Sequence, residues 1–352
     1  MGETLIPLRD FLPYLGKRVL GAIGVLVGAM LLVFFISYIL NPNPAHLWAG
    51  ARASKSTIAA VVARYHLDQP WYVQLYYFLQ SYATGNFGID PQTGRSILSE
   101  MEFYFPNTLE LVLVSMVMIV GLGVASGYIA GMRFGTKVDH AIRIFYLATW
   151  SSPYYLGGFL AILVFSSYVP LFPSGGMYSQ TIAPINHITG IYILDALLQL
   201  NGPAFLSGID HVIMPAVVLA LLDFGLVARI MRSSILNARW STHVKAARAK
   251  GTPEGEVRRN HILRNALIDT NTIIAVTFGF LLSGTIVIEE IFAWPGIGYF
   301  TYQAIVSINY PVLIPCVLLF TLGVIVANFI ADVFYSLLDP RIALGEGGGA
   351  EG

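Results

Sequence analysis

Long apolar runs separated by short polar stretches set the plan of this chain. Six runs reach the ~20 residues a bilayer-crossing helix needs: 19–40, 108–132, 141–169, 212–231, 272–292 and 312–337. The third carries Ser152-Pro153, which predicts a kink. The run 191–200 is too short to span and reads as an interfacial or re-entrant piece. One sizeable polar segment, 41–107, separates the first two runs. It predicts a helix at 56–65, an aromatic stretch at 71–82 and a turn at Gly85-Asn86-Phe87-Gly88. Trp48 and Trp71 in it fit a membrane interface or a partner surface. Composition agrees with a membrane protein. Charged residues make up 11% of the chain and hydrophobic ones 56%, where a soluble domain carries roughly 25% charged residues. The formal net charge is zero, so nucleic acid is not an expected partner. The lone Cys316 lies in an apolar run and reads as a packing residue.

Lys and Arg orient the spans. Nine of the 20 fall between Arg229 and Arg264, and none lies at 144–228 or 265–340. Lys17 and Arg18 precede the first run; Arg133, Lys137 and Arg143 separate the second from the third; Arg341 follows the sixth. With six alternating helices these all share one side, expected to be cytoplasmic. Both termini then lie in the cytoplasm, and 41–107 and 170–211 face outward. The polar start of the chain does not resemble a cleaved signal, so the first run is expected to be retained.

The basic loop has internal order. Trp240, Val244, Ala247 and Gly251 recur at helical spacing, with Arg239, Lys245 and Arg248 on other faces. Gly251 follows a basic last turn, as a helix-ending glycine does. Thr252-Pro253-Glu254 then predicts a second helix, with Thr252 as cap and Pro253 at the first helical position. Ala246, Ala247 and Ala249 would let another surface come close. A basic helix lying on lipid headgroups is the plain alternative, but it needs no second helix.

This loop resembles the cytoplasmic motif of ATP-binding-cassette importer permeases: Glu-Ala-Ala, three residues, Gly, nine residues, Ile-x-Leu-Pro. Here the match is Lys245-Ala246-Ala247, Gly251 and His261-Ile262-Leu263-Arg264. The chain is similar to the first permease subunit of the dipeptide, oligopeptide and nickel transporter family. The resemblance rests on ordered tags: DQPWYVQ at 68–74, NFG at 86–88, SSPYY at 151–155, FPSGG at 172–176, HVIMP at 211–215, ARIMRSS at 228–234, ARAKG at 247–251, HILRNALI at 261–268, IEEIFAWPGIG at 288–298, NYPV at 309–312 and LLDPRI at 337–342. Departures are Thr242 for the usual acid, Asp269 for a proline, and Ile308-Asn309 for Arg-Asp.

The resemblance implies an all-α integral membrane protein with the six-helix type I importer permease fold and a small extracytoplasmic domain. The expected plan is a cytoplasmic N-terminus at 1–18, a first span at 19–40, the outer domain at 41–107, a five-helix core at 108–342 with its coupling loop at 233–268, and a disordered Gly-rich tail at 343–352. It implies partners: a second homologous permease subunit, two ATPase subunits, an extracytoplasmic solute-binding protein and the lipid bilayer of a bacterial or archaeal plasma membrane. ATPase coupling falls on Ala246, Ala247, Arg248, Gly251, Thr252, Pro253, Glu254, Glu256 and Arg259, with a docking helix at 252–260. No Gly-x-x-x-x-Gly-Lys-Ser/Thr loop occurs. The chain is therefore expected not to be an enzyme and to bind no cofactor, with ATP and magnesium held by the partner ATPases. Peptides are the expected cargo and oligosaccharides the alternative; a stand-alone secondary transporter or channel would lack a use for the loop.

Acids inside apolar runs are candidate gate or pathway groups: Asp223, Glu289 and Glu290, the last two just before Trp294, Pro295 and Gly296. For Glu289 a structural hydrogen bond to the Pro295-Gly296 turn is the favoured reading. Asp223 stands open between structure and pore. Asp332 beside Asn328 reads as an inter-helix contact, His211 as a helix-start or interface residue, and Trp150, Tyr154 and Tyr155 as packing.

Overall fold

The computed structural model describes residues 8–39, 44–49 and 53–338. The tail expected at 343–352, most of the tag at 337–342 and the side chain of Asp332 lie outside the described residues. The helices, in order, are α1 (Leu8–Phe34), α2 (Pro44–Ala49), α3 (Lys55–Arg64), α4 (Trp71–Ala83), α5 (Ile97–Met132), α6 (Lys137–Trp150), α7 (Tyr154–Ile162), α8 (Tyr192–Leu198), α9 (Gly202–Trp240), α10 (Thr242–Ala249), α11 (Glu254–Glu256), α12 (Arg264–Gly284), α13 (Ile286–Ile291), α14 (Ile297–Val306) and α15 (Tyr310–Leu338). Among the described residues the only β pairing is an isolated Ile89–Ser96 bridge. Five helices are long and apolar enough to cross a membrane, and a sixth is added if α6 and α7 count as one broken span.

The expected runs are all present, but several boundaries move. The second span begins at Ile97 rather than 108, because Glu100, Asn107, Thr108 and Glu110 are buried with partners instead of forming a loop. The fourth extends from Gly202 to Trp240, well past 212–231. Its last cations find partners along the helix. Arg229 sits over the Trp150 ring, and Arg232 makes a two-pronged pair with Asp139, at 2.7 and 2.9 Å. His211 therefore lies inside α9 and not at a helix start; its Nδ1 meets the Ser207 carbonyl at 2.7 Å. The fifth span shifts toward the basic loop, at Glu254–Leu282, and the chain breaks before α13. The kink at Ser152-Pro153 is a 98° turn between the two halves of the third run. A proline cannot continue the ladder and restricts the residue before it.

The centre of the bundle is the α5–α9 pair, which run in the same direction. Gly123, Gly127 and Gly131 of α5 form a stripe at every fourth residue, facing Val227, Met231 and Ile235 of α9. A Cβ at Gly127 would sit 2.6 Å from the Ala228 carbonyl oxygen, and one at Gly131 2.6 Å from Ile235. Such a small-residue stripe lets two backbones approach where lipid supplies no hydrophobic drive. Beside this pair, α12 packs on α9 and on α15, with Gly279 against Ala327. At the edge of the bundle, α1 carries exposed apolar side chains along most of its length, including Leu20, Ile23, Val25 and Leu32.

The 41–107 segment shares a core with α1 and α15. Met30, Phe34, Tyr38, Trp48, Phe78, Ile314 and Leu318 bury together. Trp48 is buried and stacked on Tyr65, so it is not a surface aromatic; Trp71 is exposed. Cys316 is buried as expected.

The piece read as re-entrant, 191–200, is the short helix α8. Two buried carboxylates hold it. Glu110 of α5 accepts the Tyr192 N–H at 2.7 Å, and Asp195 accepts the N–H groups of Ile188, Thr189 and Gly190 and the Thr189 hydroxyl. Burial alone would raise the Asp195 carboxyl, but the Thr189 hydroxyl and the three backbone donors outweigh it and hold it below the usual aspartate value.

Two outcomes are expected. Gly127→Ala should lower stability by about 1–3 kcal/mol through overpacking, whereas Gly121→Ala, with open space at its Cβ, should not; thermal unfolding of the detergent-purified chain compares them. Asp195 stabilises the fold only while ionised, so its contribution is present above its unfolded-state value and is lost as pH falls through the lower folded-state value. The difference in unfolding midpoint between the natural chain and Asp195→Asn should accordingly shrink on acidification.

Candidate functional site

The predicted residues gather at two places about 30 Å apart, the length of α5 between Thr108 and Tyr128. The first is the basic loop. Val244 and Ala247 of α10 and Val257 and Ile262 are buried with Met231, Ile235 and Ala238 of α9 and Ala266 of α12; Tyr128 and Met132 of α5 pack against them. The loop is thereby fastened to three spanning helices. Ala247 is consequently an anchor, and not part of an accessible face as expected. Trp240 also leaves the predicted stripe. The backbone at Ser241 turns to an extended conformation, which ends α9 and leaves Trp240 63% exposed.

Gly251 has φ +77° with open space around it, the left-handed conformation that ends a helix. The second helix differs from the expected 252–260. Thr252 makes no cap, and its N–H donates to the Ala247 carbonyl. Pro253 stands at the N-cap position with ψ 138°. From Glu254 the chain passes through a π-helical stretch, Val257–Leu263, directly into α12. The segment expected as a docking helix is thus the first turns of one continuous rod, residues 254–284. Arg248 of α10 reaches across the Gly251 turn to Glu254, at 3.1 and 3.0 Å, and Arg258 reaches Glu254 from within the rod at 3.4 Å. Ala246, Glu256 and Arg259 are exposed. These exposed ion pairs contribute little stability; they fix the angle of the turn.

The second place is the turn 289–298. The Glu289 side chain is fully buried. It accepts hydrogen bonds from the Thr108 hydroxyl at 2.7 Å, the Thr285 hydroxyl at 2.8 Å and the Tyr299 N–H at 2.9 Å. A Cβ at Gly296 would overlap this carboxylate and the Thr108 hydroxyl. Trp294 is fully buried and donates its indole N–H to the Asn107 carbonyl, while the Asn107 amide donates to the Pro295 carbonyl at 2.7 Å. On the far side, the Gly176 N–H donates to the Phe292 carbonyl at 2.8 Å, and a Cβ at Gly175 would overlap that carbonyl. The tags at 172–176 and 288–298, distant in sequence, therefore meet. Glu289 is fully buried, and its hydrogen bonds go to Thr108, Thr285 and Tyr299, around the Pro295-Gly296 turn expected to receive them. Glu290 is half-buried and takes a 3.3 Å hydrogen bond from Gln303.

Asp223 belongs to neither place. It lies on α9, where the Tyr154 hydroxyl of α7 donates to its Oδ1 at 2.7 Å; its buried Oδ2 has no partner. Tyr154 is thus more than packing. Asn309 and Asp269, both departures from the family pattern, find partners too: Asn309 donates to Asp90, and Ser234 donates to Asp269. Sequence reasoning missed Thr108, Asn107 and the glycine stripe. The regular Gly spacing at 123–131 was the signal for the stripe; nothing local marks Asn107 and Thr108.

Comparison with known proteins decides what these two places belong to. Residues 123–344 match the family described as the inner membrane component of binding-protein-dependent transport systems, and residues 11–96 match its N-terminal region. The chain is a member of that permease family. It is 33% identical over 96% of its length, and 99% of the relative's, to a probable D,D-dipeptide transport system permease protein of Escherichia coli. A di/tripeptide transport permease of Pseudomonas aeruginosa is 33% identical over 94% of this chain and 98% of its own. A glutathione transport permease of E. coli is 32% identical over 94% and 99%. The permease is a multi-pass membrane component of an ATP-binding-cassette import system, which works with partner components.

Removing Glu289 leaves three buried donors without an acceptor, at about 1–3 kcal/mol each. Glu289→Ala should therefore abolish or sharply reduce recovery of folded permease, and Glu289→Gln, which keeps one acceptor oxygen, should be milder. Size-exclusion yield and unfolding midpoint of the two variants provide the check; equal behaviour to the natural chain would remove the hub.

Proposed function

We propose that this permease forms one half of the translocation pathway of an importer for di- and oligopeptides, driven by ATPases that dock on the basic loop. The observation that carries the reading is the loop itself. It is a protrusion anchored by buried Val244, Ala247, Val257 and Ile262, with an exposed outer face of Lys245, Ala246, Arg248, Gly251, Pro253, Glu254, Glu256 and Arg259 whose contacts are ion pairs and hydrogen bonds within the loop itself. A surface held this firmly and left uncovered suits a partner groove. Movement of that partner would act on residue 254 and travel along the rod to Thr285, which is bonded to Glu289.

The excess of Lys and Arg supports the basic end as cytoplasmic, with both termini there. The exposed apolar side of α1 suits lipid and a second permease subunit. ATP and magnesium belong to two partner ATPases, and a solute-binding protein would deliver cargo to the opposite end. Peptide cargo rests on the transport systems for which the relatives are named. The exposed aromatic face of α4, with Trp71, Tyr72 and Tyr76, favours oligosaccharides as the second reading.

Ala249→Trp and Gly255→Trp place bulk at exposed positions of the loop, the second with open space at its Cβ. With the complex in proteoliposomes, uptake of a labelled dipeptide per ATP hydrolysed should fall about tenfold, the effect of ~1.4 kcal/mol on coupling, while the permease stays in the membrane. Unchanged uptake in both variants would defeat the docking account. Uptake of labelled oligosaccharide but not dipeptide by the natural complex would replace the cargo and leave docking intact.

A further inference from the structure

A second polar cluster lies where the loop 89–96, the start of α5 and the α14–α15 turn meet. Asp90, Glu100 and Asn309 are 2%, 7% and 7% exposed. The Asn309 amide N–H donates to Asp90 Oδ1 at 2.7 Å, and the Gln92 N–H donates to the same oxygen at 2.9 Å. The Thr93 hydroxyl lies 3.1 Å from Asp90 Oδ2 and 2.8 Å from Glu100 Oε1. A hydroxyl has one proton and can donate to only one of these carboxylates. The remaining oxygens fare worse: Glu100 Oε2 and Asn309 Oδ1 are buried with no partner at all. Arg95 acts on Glu100 only through space, and its side chain is exposed. Asp90 Oδ1 is thus satisfied by two N–H donors, Asp90 Oδ2 and Glu100 Oε1 compete for one hydroxyl proton, and Glu100 Oε2 and Asn309 Oδ1 are left with none. Burying such a set without compensation is strongly unfavourable.

We propose that this cluster binds a calcium ion. Asp90 Oδ2, both Glu100 oxygens and Asn309 Oδ1 supply an all-oxygen set, with the Thr93 hydroxyl beside it. Two negative charges balance one divalent ion. Calcium accepts carboxylate, amide and hydroxyl oxygens at 2.3–2.6 Å in flexible geometry and completes its shell with water; magnesium demands a stricter octahedron. The Asn309 amide is oriented for this role, because its N–H faces Asp90 and its oxygen is therefore left over. The ion would tie the loop 89–96 to α5 and to the turn at Ile308, where φ is +55°. The site stands apart from the docking loop and does not depend on the cargo.

Full-length permease, stripped with EGTA, would be titrated with calcium, magnesium and sodium chloride at constant ionic strength while its unfolding midpoint and bound radioactive calcium are followed. One calcium per chain and a saturable rise in midpoint are expected, with sodium giving none. Glu100→Gln should weaken calcium binding at least about tenfold, the loss of ~1.4 kcal/mol. Asn309→Asp adds a charge in the same shape; its midpoint should depend on calcium more steeply than that of the natural chain. The proposal is overturned if no calcium binds the natural chain, if Glu100→Gln keeps full calcium affinity, or if the midpoint responds to pH alone, which would mean that the two carboxylates share a proton instead.

Discussion

Inside a membrane protein a turn can leave the helical ladder only if its free N–H groups find acceptors, because lipid offers none. In this permease two buried glutamates and an aspartate meet that requirement. Glu289 takes the Tyr299 N–H and two threonine hydroxyls, Glu110 takes the N–H of Tyr192, and Asp195 takes three more. Two of the receiving points, Thr108 and Glu110, are neighbours on α5, and Asn107 beside them binds the Pro295 carbonyl. A four-residue stretch of one helix thus fixes both irregular segments at the end of the bundle opposite the basic loop. The close glycines at 175 and 296 follow from the same need, since a side chain at either would displace the groups it serves.

The other end is built differently. Its loop is held by apolar burial and by one well-shielded ion pair, Arg232 with Asp139, in which the aspartate is 1% exposed. Nothing comparable restrains its outward face, where Arg248, Glu254 and Arg258 meet in solvent. The rod from residue 254 to residue 284 joins the two ends, and its π-helical stretch lies next to the loop. A π-helical stretch bonds i to i+5, is rare, and occurs frequently at functional sites.

Much of this was legible in the sequence. Every long apolar run is helical, though the third and fifth are broken, and the Gly251 break, the Pro153 bend and the Trp294-Pro295-Gly296 turn fall at the predicted residues. What failed was the reading of polar residues as boundaries. Asn107 and Arg232 look like loop residues, yet each is absorbed within a helix by a partner far away in the chain: Asn107 binds the carbonyl of residue 295, Arg232 the carboxylate of residue 139. Periodicity failed at Trp240 because one extended residue, Ser241, resets the phase of the helix that follows. The docking segment 252–260 was expected as a separate helix because Pro253 and Glu254 signal a start; no signal marks the point where it should stop, and it runs on into α12.

The glycine stripe of α5 carries a mechanical meaning. With Gly123, Gly127 and Gly131 seated directly on Val227, Met231 and Ile235, only α9 puts side chains between the two backbones, and they are held close against α5. The pair therefore acts as a single beam. On the flanks of that beam α7 meets α9 at Gly157, against Val218 and Leu222, and α12 packs beside it. In a cyclic machine, a pair packed this closely would serve as the stator.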